Sequence, residues 1–147
     1  MIKALAHMVF KLLLGLLLGI SLARADVTIS DAWVRASNPG QSVVAAYLTL
    51  SSRENVRLVY VETARAGSTE LHSMSMQNGV MKMRHVAELA IPANKPVKLA
   101  PGGLHLMLFE LPSPFQVGEQ IRFRLCFKDG SGNLHEQFVS LPVKAAN

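Results

Sequence analysis

The dipeptide Asn78-Gly79 is the feature of this sequence that most restricts how the chain can fold. It stands between two segments of alternating polarity, residues 68–76 and 80–86. Both residues tolerate positive φ, which the two-residue turn of a tight β-hairpin requires. Residues counted outward from such a turn oppose one another and alternate between the two faces. The predicted pairs on one face are His72 with His85, Met74 with Met83, and Met76 with Met81.

The chain on either side of this hairpin consists of short apolar segments separated by glycine and proline. No segment after residue 25 shows a helical repeat. Trp33 is a candidate aromatic residue of the core. Many short strands with frequent turns are typical of an antiparallel β-sandwich or barrel. Further strands are predicted at residues 27–35, 43–50, 56–63, 97–99, 104–110, 121–127 and 136–143.

Residues 1–25 are interpreted as a cleavable signal peptide. Two lysines, Lys3 and Lys11, precede the apolar residues 12–22, and Ala23-Arg24-Ala25 supplies small residues at the two positions that a signal peptidase recognises. The apolar run is well short of the roughly 20 residues needed to span a bilayer. We therefore expect export, cleavage after Ala25 and a single domain over residues 26–147. No cysteine lies near the cleavage site, so a lipid-modified N-terminus is not expected.

The charge of the domain argues against nucleic-acid binding, and its cysteine content argues against a disulfide. The chain has 15 basic and 10 acidic residues, but three of the basic residues lie in the leader, so the domain gives no indication of nucleic-acid binding. The one cysteine, Cys126, rules out an internal disulfide. Alternation places this thiol on the outer face of its strand beside Arg122 and Arg124, which we expect to lower its pKa.

Soft metal ligands are concentrated between residues 72 and 107. This stretch holds three of the five histidines and all five methionines that lie outside the first ten residues. Thioethers and imidazoles without a thiolate favour Cu(I), whereas zinc usually recruits cysteine or carboxylate. Thioethers also suit an oxidising compartment, because they cannot form disulfides. The sequence therefore predicts a site for one Cu(I) ion.

Four of these residues stand out by their positions. His105 and Met107 are two apart on one predicted strand, so their side chains point the same way. His72 and Met83 are diagonal neighbours on the hairpin. Their spacing, His-x10-Met-x21-His-x-Met, matches the signature of the periplasmic copper chaperones called PCuAC. The surrounding sequence also resembles that family, in Asp31-Ala32-Trp33-Val34-Arg35, Leu71-His72-Ser73-Met74, Gly79-Val80-Met81-Lys82-Met83-Arg84 and Pro101-Gly102-Gly103-Leu104-His105-Leu106-Met107-Leu108.

The resemblance to PCuAC proteins implies a fold, a site and a role. The fold is a cupredoxin-like Greek-key β-sandwich, and the site is a solvent-accessible Cu(I) site formed by His72, Met83, His105 and Met107. The role is a periplasmic one, the delivery of copper toward the dinuclear copper centre of cytochrome c oxidase. The implied partners are a Sco-type thiol protein or a cytochrome c oxidase subunit, and no stable membrane insertion is expected after processing.

Other interpretations of the same residues are open. Met74, Met76 and Met81 are predicted to pack or to form a soft rim rather than to bind the ion, since methionine on a strand is more often a packing residue. His85 is a candidate bystander, and His135 is predicted to lie on the surface. The alternative functions are a periplasmic copper or silver buffer or resistance protein without a dedicated acceptor, and an adhesion-type sandwich that binds no metal.

The sequence disfavours both a blue-copper electron carrier and the common enzyme classes. A blue-copper carrier needs a cysteine that is followed closely by a histidine and a methionine. Cys126 has no such residues closely after it. The motifs of serine hydrolases, zinc proteases and P-loop proteins are absent from the sequence. We therefore expect a binding protein rather than an enzyme.

Overall fold

Ten β-strands and no helix make up the part of the chain that the structure, a computed structural model, describes: residues 26–145. The strands are β1 (Thr28–Arg35), β2 (Val44–Ser51), β3 (Val56–Glu62), β4 (Ser68–Gln77), β5 (Val80–His85), β6 (Leu89–Ile91), β7 (Val97–Leu99), β8 (His105–Phe109), β9 (Gln120–Lys128) and β10 (Leu134–Lys144). The predicted all-β class is confirmed. Within residues 26–145 no helix could cross a membrane. The predicted signal peptide, residues 1–25, lies outside the described residues.

The strands form two layers that share one continuous path of pairing. One layer has the order β5-β4-β8-β2-β1, with β7 also paired to β2, and the other has the order β10-β9-β3-β6. Parallel pairing of β1 with β10 joins them, with Val34 opposite Val143. The register of β1 against β2 shifts between Ser30 and Trp33, where Asp31 adopts a φ of 50°. This bulge bends β1, which pairs with β2 from Thr28 to Val34 and with β10 at Val34 and Arg35.

The hydrophobic core lies between the two layers. Strand β9 shows why: it alternates Ile121, Phe123, Leu125 and Phe127, all fully buried, with Arg122 and Arg124 on the outer face, as predicted. Apolar residues of β2 and β8 meet them from the other layer. The prediction for Trp33 was wrong, because the bulge in β1 turns Val34 into the core and leaves Trp33 half-buried against Tyr47, with the ring centroids 4.7 Å apart.

The predicted strand boundaries agree with the structure to within two residues at each end. One strand was missed, β6, which pairs with β3 immediately before Pro92. The Asn78-Gly79 turn is confirmed, with φ values of 51° and 76° at its two residues. All the predicted cross-strand pairs of the hairpin are also present. Local turn chemistry therefore sets the register of the element that carries most of the candidate ligands.

Candidate metal centre

Three histidines form a row across strands β5, β4 and β8. His72 on the central strand is directly opposite His85 on one side and His105 on the other. The ring centroids of His72 and His105 are 5.8 Å apart, and those of His72 and His85 are 6.0 Å apart. Directly opposed residues share a face, so this face also carries the methionines of all three strands. It is the face turned away from the core, because the neighbouring Leu71 and Leu106 point inward.

His105 is buried and held in one tautomer. Its Nδ1 lies 3.0 Å from the carbonyl oxygen of Gly103. Because a carbonyl can only accept, Nδ1 carries the proton and donates it. The lone pair is thereby left on Nε2, which is the arrangement that a metal-binding histidine needs.

His72 is held in the opposite tautomer by a carboxylate. Its Nε2 donates to the Glu70 Oε2 at 2.8 Å, since the ionised carboxylate can only accept. The other ring nitrogen, Nδ1, is buried and has no hydrogen-bond partner. A buried nitrogen lone pair without a partner is costly in a folded protein unless something binds it. The donor set therefore fits a metal cation beside His72.

The two candidate methionines lie on either side of His72 along β4. Met107 is opposite Glu70, and Met83 is opposite Met74. Both are diagonal neighbours of His72, within reach of a long side chain. Met107 is half-buried, whereas Met83 is 46% exposed. The structure thus places all four predicted ligands on one face, with the two imidazoles adjacent and the thioethers flanking them.

The loop before β8 ties the hairpin to the histidine pair. The Gly103 carbonyl oxygen accepts a second hydrogen bond, from the Met74 N–H at 3.1 Å. The two glycines of this loop differ in what they contribute. A Cβ at Gly103 would meet its nearest neighbour at an ordinary 3.7 Å, and Gly102 is needed for its φ of 85° instead.

Glu70 and Phe109 complete this face, and of the two only Glu70 was missed in the sequence. Glu70 precedes His72 by two positions, so alternation already places it on the same face. Phe109 stands two positions after Met107, and its ring centroid is 6.0 Å from that of His72. The signal for both was the period of two along the strands. Glu70 orients the histidine, and Phe109 forms an apolar wall beside it.

Within residues 26–145, no group of three or more histidine, cysteine, aspartate or glutamate side chains is arranged to hold a metal ion. The histidine pair shares its face with thioether donors, which suit a soft monovalent ion better than zinc.

Two other residues that the sequence singled out lie far from this face and behave differently from expectation. Burial raises the pKa of the Cys126 thiol, helped by the negative charge of Glu136, and Arg124 only partly opposes this. The expected lowering of that pKa was therefore wrong. His135 is not a free surface residue: it is partly buried, and its Nε2 lies 2.7 Å from Asp129.

Comparison with known proteins places the chain in a family. Residues 27–138 match the family described as "Putative lipoprotein LpqE-like". The chain belongs to the LpqE-like family. A relative in Leifsonia xyli subsp. xyli, described as "Putative lipoprotein Lxx21020", is 33% identical over 119 residues, which cover 80% of this chain and 69% of that protein. The one cysteine of this LpqE-like chain lies in β9.

Solved structures resemble the LpqE-like chain over most of its length. The apo form of DR1885 from Deinococcus radiodurans is 31% identical, with a TM-score of 0.59 over 83% of this chain and 82% of that one. The copper-bound PCuAC domain from PmoF2 has a TM-score of 0.66 at 22% identity, over 84% of this chain and 97% of that one. The predicted resemblance to PCuAC proteins is confirmed, and the fold is a cupredoxin-like Greek-key β-sandwich.

Proposed function

We propose that this protein is a periplasmic metallochaperone that binds one Cu(I) ion through His72, Met83, His105 and Met107. The observation that carries the proposal is the pair of opposite tautomers. Glu70 and Gly103 each hold one ring N–H, which leaves lone pairs on His72 Nδ1 and His105 Nε2. Two adjacent imidazoles prepared in this way, with thioethers on the same face, provide soft and neutral donors.

The family supports copper as the cargo. One structurally similar protein is a copper-bound PCuAC domain, and DR1885 has been solved in a Cu(I) form that is 32% identical to this chain, with a TM-score of 0.53 over 86% of it and 81% of that chain. Four neutral ligands leave the bound ion with its single positive charge. The nearby Glu70 carboxylate favours that charge without binding the ion directly.

The unequal exposure of the two thioethers suggests how the ion is released. Met83 lies on the outermost strand and is largely exposed, while Met107 is half-buried beside the histidines. An acceptor thiolate can approach from the side of Met83 and replace it first, with the ion still held by the imidazoles and Met107. The proposed acceptor is a Sco-type thiol protein or a cytochrome c oxidase subunit, and the proposed role is binding and transfer rather than catalysis.

Competition for Cu(I) against a chelator under reducing conditions tests the site. We expect His72→Ala/His105→Ala to abolish tight binding and Met107→Ala to weaken it while leaving a partial site. His135→Asn is the matched control, because it removes an imidazole from the other layer and should leave the affinity unchanged. If the double histidine variant held one copper as tightly as the parent, the proposed site would be wrong.

A transfer assay separates a chaperone from a buffer. The Cu(I)-loaded protein is mixed with a reduced Sco-type protein, and the copper content of each is measured after separation. A chaperone transfers its ion to the Sco-type protein faster than the ion dissociates from the chaperone into a chelator. A buffer loses its ion to both at the same rate.

A further inference from the structure

We propose that the tip of the β4–β5 hairpin carries a second metal site, separate from the histidine pair, that binds one monovalent soft cation through Met74, Met76 and Met81. The cation class is Cu(I) or Ag(I). This site goes beyond the proposed function, which uses a single ion at the base of the same hairpin.

The register brings these three thioethers together. Met76 is directly opposite Met81, and Met74 is the diagonal neighbour of Met81 on the same face. Opposed Cβ atoms in an antiparallel pair are about 5 Å apart. Methionine has three rotatable side-chain bonds, so the sulfur atoms can converge on a common point above the sheet.

Packing does not explain the methionines at the tip. Met76 is 62% exposed and Met81 is 44% exposed, and neither belongs to the hydrophobic core or packs against it. Of the two predicted roles, packing or a soft rim, packing is therefore wrong for Met76 and Met81. Two large apolar side chains held side by side in water gain little hydrophobic stabilisation. Their common chemistry and common face indicate a ligand.

The backbone beneath the thioethers is fixed before any ion arrives. The two-residue turn and the six registered pairs hold the strands, and the Met74 N–H bond to Gly103 anchors the base of the hairpin. The two nearby cationic residues point away, because Lys82 and Arg84 are opposite Ser75 and Ser73 on the other face. A monovalent cation at the tip therefore meets neutral sulfur donors without a positive side chain on the same face.

The chemistry of three thioethers selects the ion. Uncharged sulfur donors and a low coordination number suit monovalent copper and silver, whereas divalent zinc or copper prefers imidazole, thiolate or carboxylate. Silver is the better probe because it is not oxidised in air, so the measurement does not depend on a reductant.

The experiment counts bound Ag(I) by native mass spectrometry and follows the methionine methyl groups by NMR. We expect two ions on the parent protein and one on Met76→Leu/Met81→Leu, in which leucine keeps the apolar volume and removes the sulfur. Val80→Ala is the matched control at the same tip and should keep two ions. In His72→Ala/His105→Ala, the methyl signals of Met76 and Met81 should still shift on addition of Ag(I).

The outcomes separate this proposal from the proposed function. A parent that binds only one ion, or a Met76→Leu/Met81→Leu variant that still binds two, would overturn the hairpin site and leave the histidine site intact. Loss of the methyl shifts in the double histidine variant would show that the tip has no site of its own. Two ions that persist without either histidine would instead count against the proposed function.

Discussion

Removing the Glu70 carboxylate should weaken Cu(I) binding although Glu70 is not a proposed ligand. Its Oε2 accepts the His72 Nε2–H at 2.8 Å and so keeps the lone pair on Nδ1. In Glu70→Ala the ring loses this partner, can rotate, and can carry its proton on the nitrogen that must bind the ion. In Glu70→Gln the amide oxygen can still accept from Nε2, so the orientation is kept and only the charge is lost.

The size of the effect follows from the surroundings of the pair. Loss of a carboxylate that orients a metal-binding histidine typically costs 10- to 100-fold in metal affinity. The His72 side chain is 12% exposed but that of Glu70 is 43% exposed, so water can partly replace the carboxylate. We therefore expect the lower end for Glu70→Ala, about tenfold or ~1.4 kcal/mol, and a smaller loss for Glu70→Gln.

The assay is the chelator competition described above, performed on both variants at one pH and salt concentration. Glu54→Ala is the control, because Glu54 is an exposed carboxylate on the turn between β2 and β3 and its loss changes the net charge equally. The reasoning would be refuted if Glu70→Ala bound Cu(I) within twofold of the parent, or if Glu54→Ala weakened binding as much.

Two predictions concern the fold. Phe123→Ala empties a fully buried site and should lower the free energy of unfolding by about 3–5 kcal/mol in urea titrations, whereas Phe138→Ala on the exposed face should cost less than about 1 kcal/mol; equal losses would contradict the assigned core. The hydrogen bond from His135, and then that from the Asn133 backbone, lowers the Asp129 pKa to about 2 from the ordinary 3.8. Because the folded value is the lower one, this stabilisation is complete above the ordinary value and is lost as the pH falls from about 4 through 2. Asp129→Asn should therefore lower Tm at pH 7 and show a flatter decline of Tm between pH 4 and 2; parallel Tm curves for the two proteins would contradict the assignment.

The sequence predicts the hairpin well because its determinants are local. Asn78 and Gly79 specify the turn, and the turn specifies every pair along both strands. The same rule predicted which methionines share a face. The pairing of β4 with β8 is different in kind, because residues more than 30 positions apart must meet, and spacing along the chain does not set their register.

The sequence could not predict how the two imidazoles are prepared. Which ring nitrogen is free depends on a carboxylate in one case and on a loop carbonyl in the other. Each partner lies only two positions away, but the ring nitrogen that it contacts depends on side-chain and loop conformation, which the alternation of the strands does not specify. The error on Cys126 has a similar origin. Arg124 is paired with Glu62 and Glu136, so its charge is largely balanced and burial decides the thiol pKa.

The position of β5 at the end of the strand order has a consequence for association between copies of the protein. Among the described residues β5 pairs only with β4, so its outer N–H and C=O groups are open to another strand. Lys82 and Arg84 alternate with the methionines along this edge, and a second copy pairing there would bring like charges close together. The protein can thus present soft, apolar sulfur groups to water on an open edge while repulsion opposes its polymerisation through that edge.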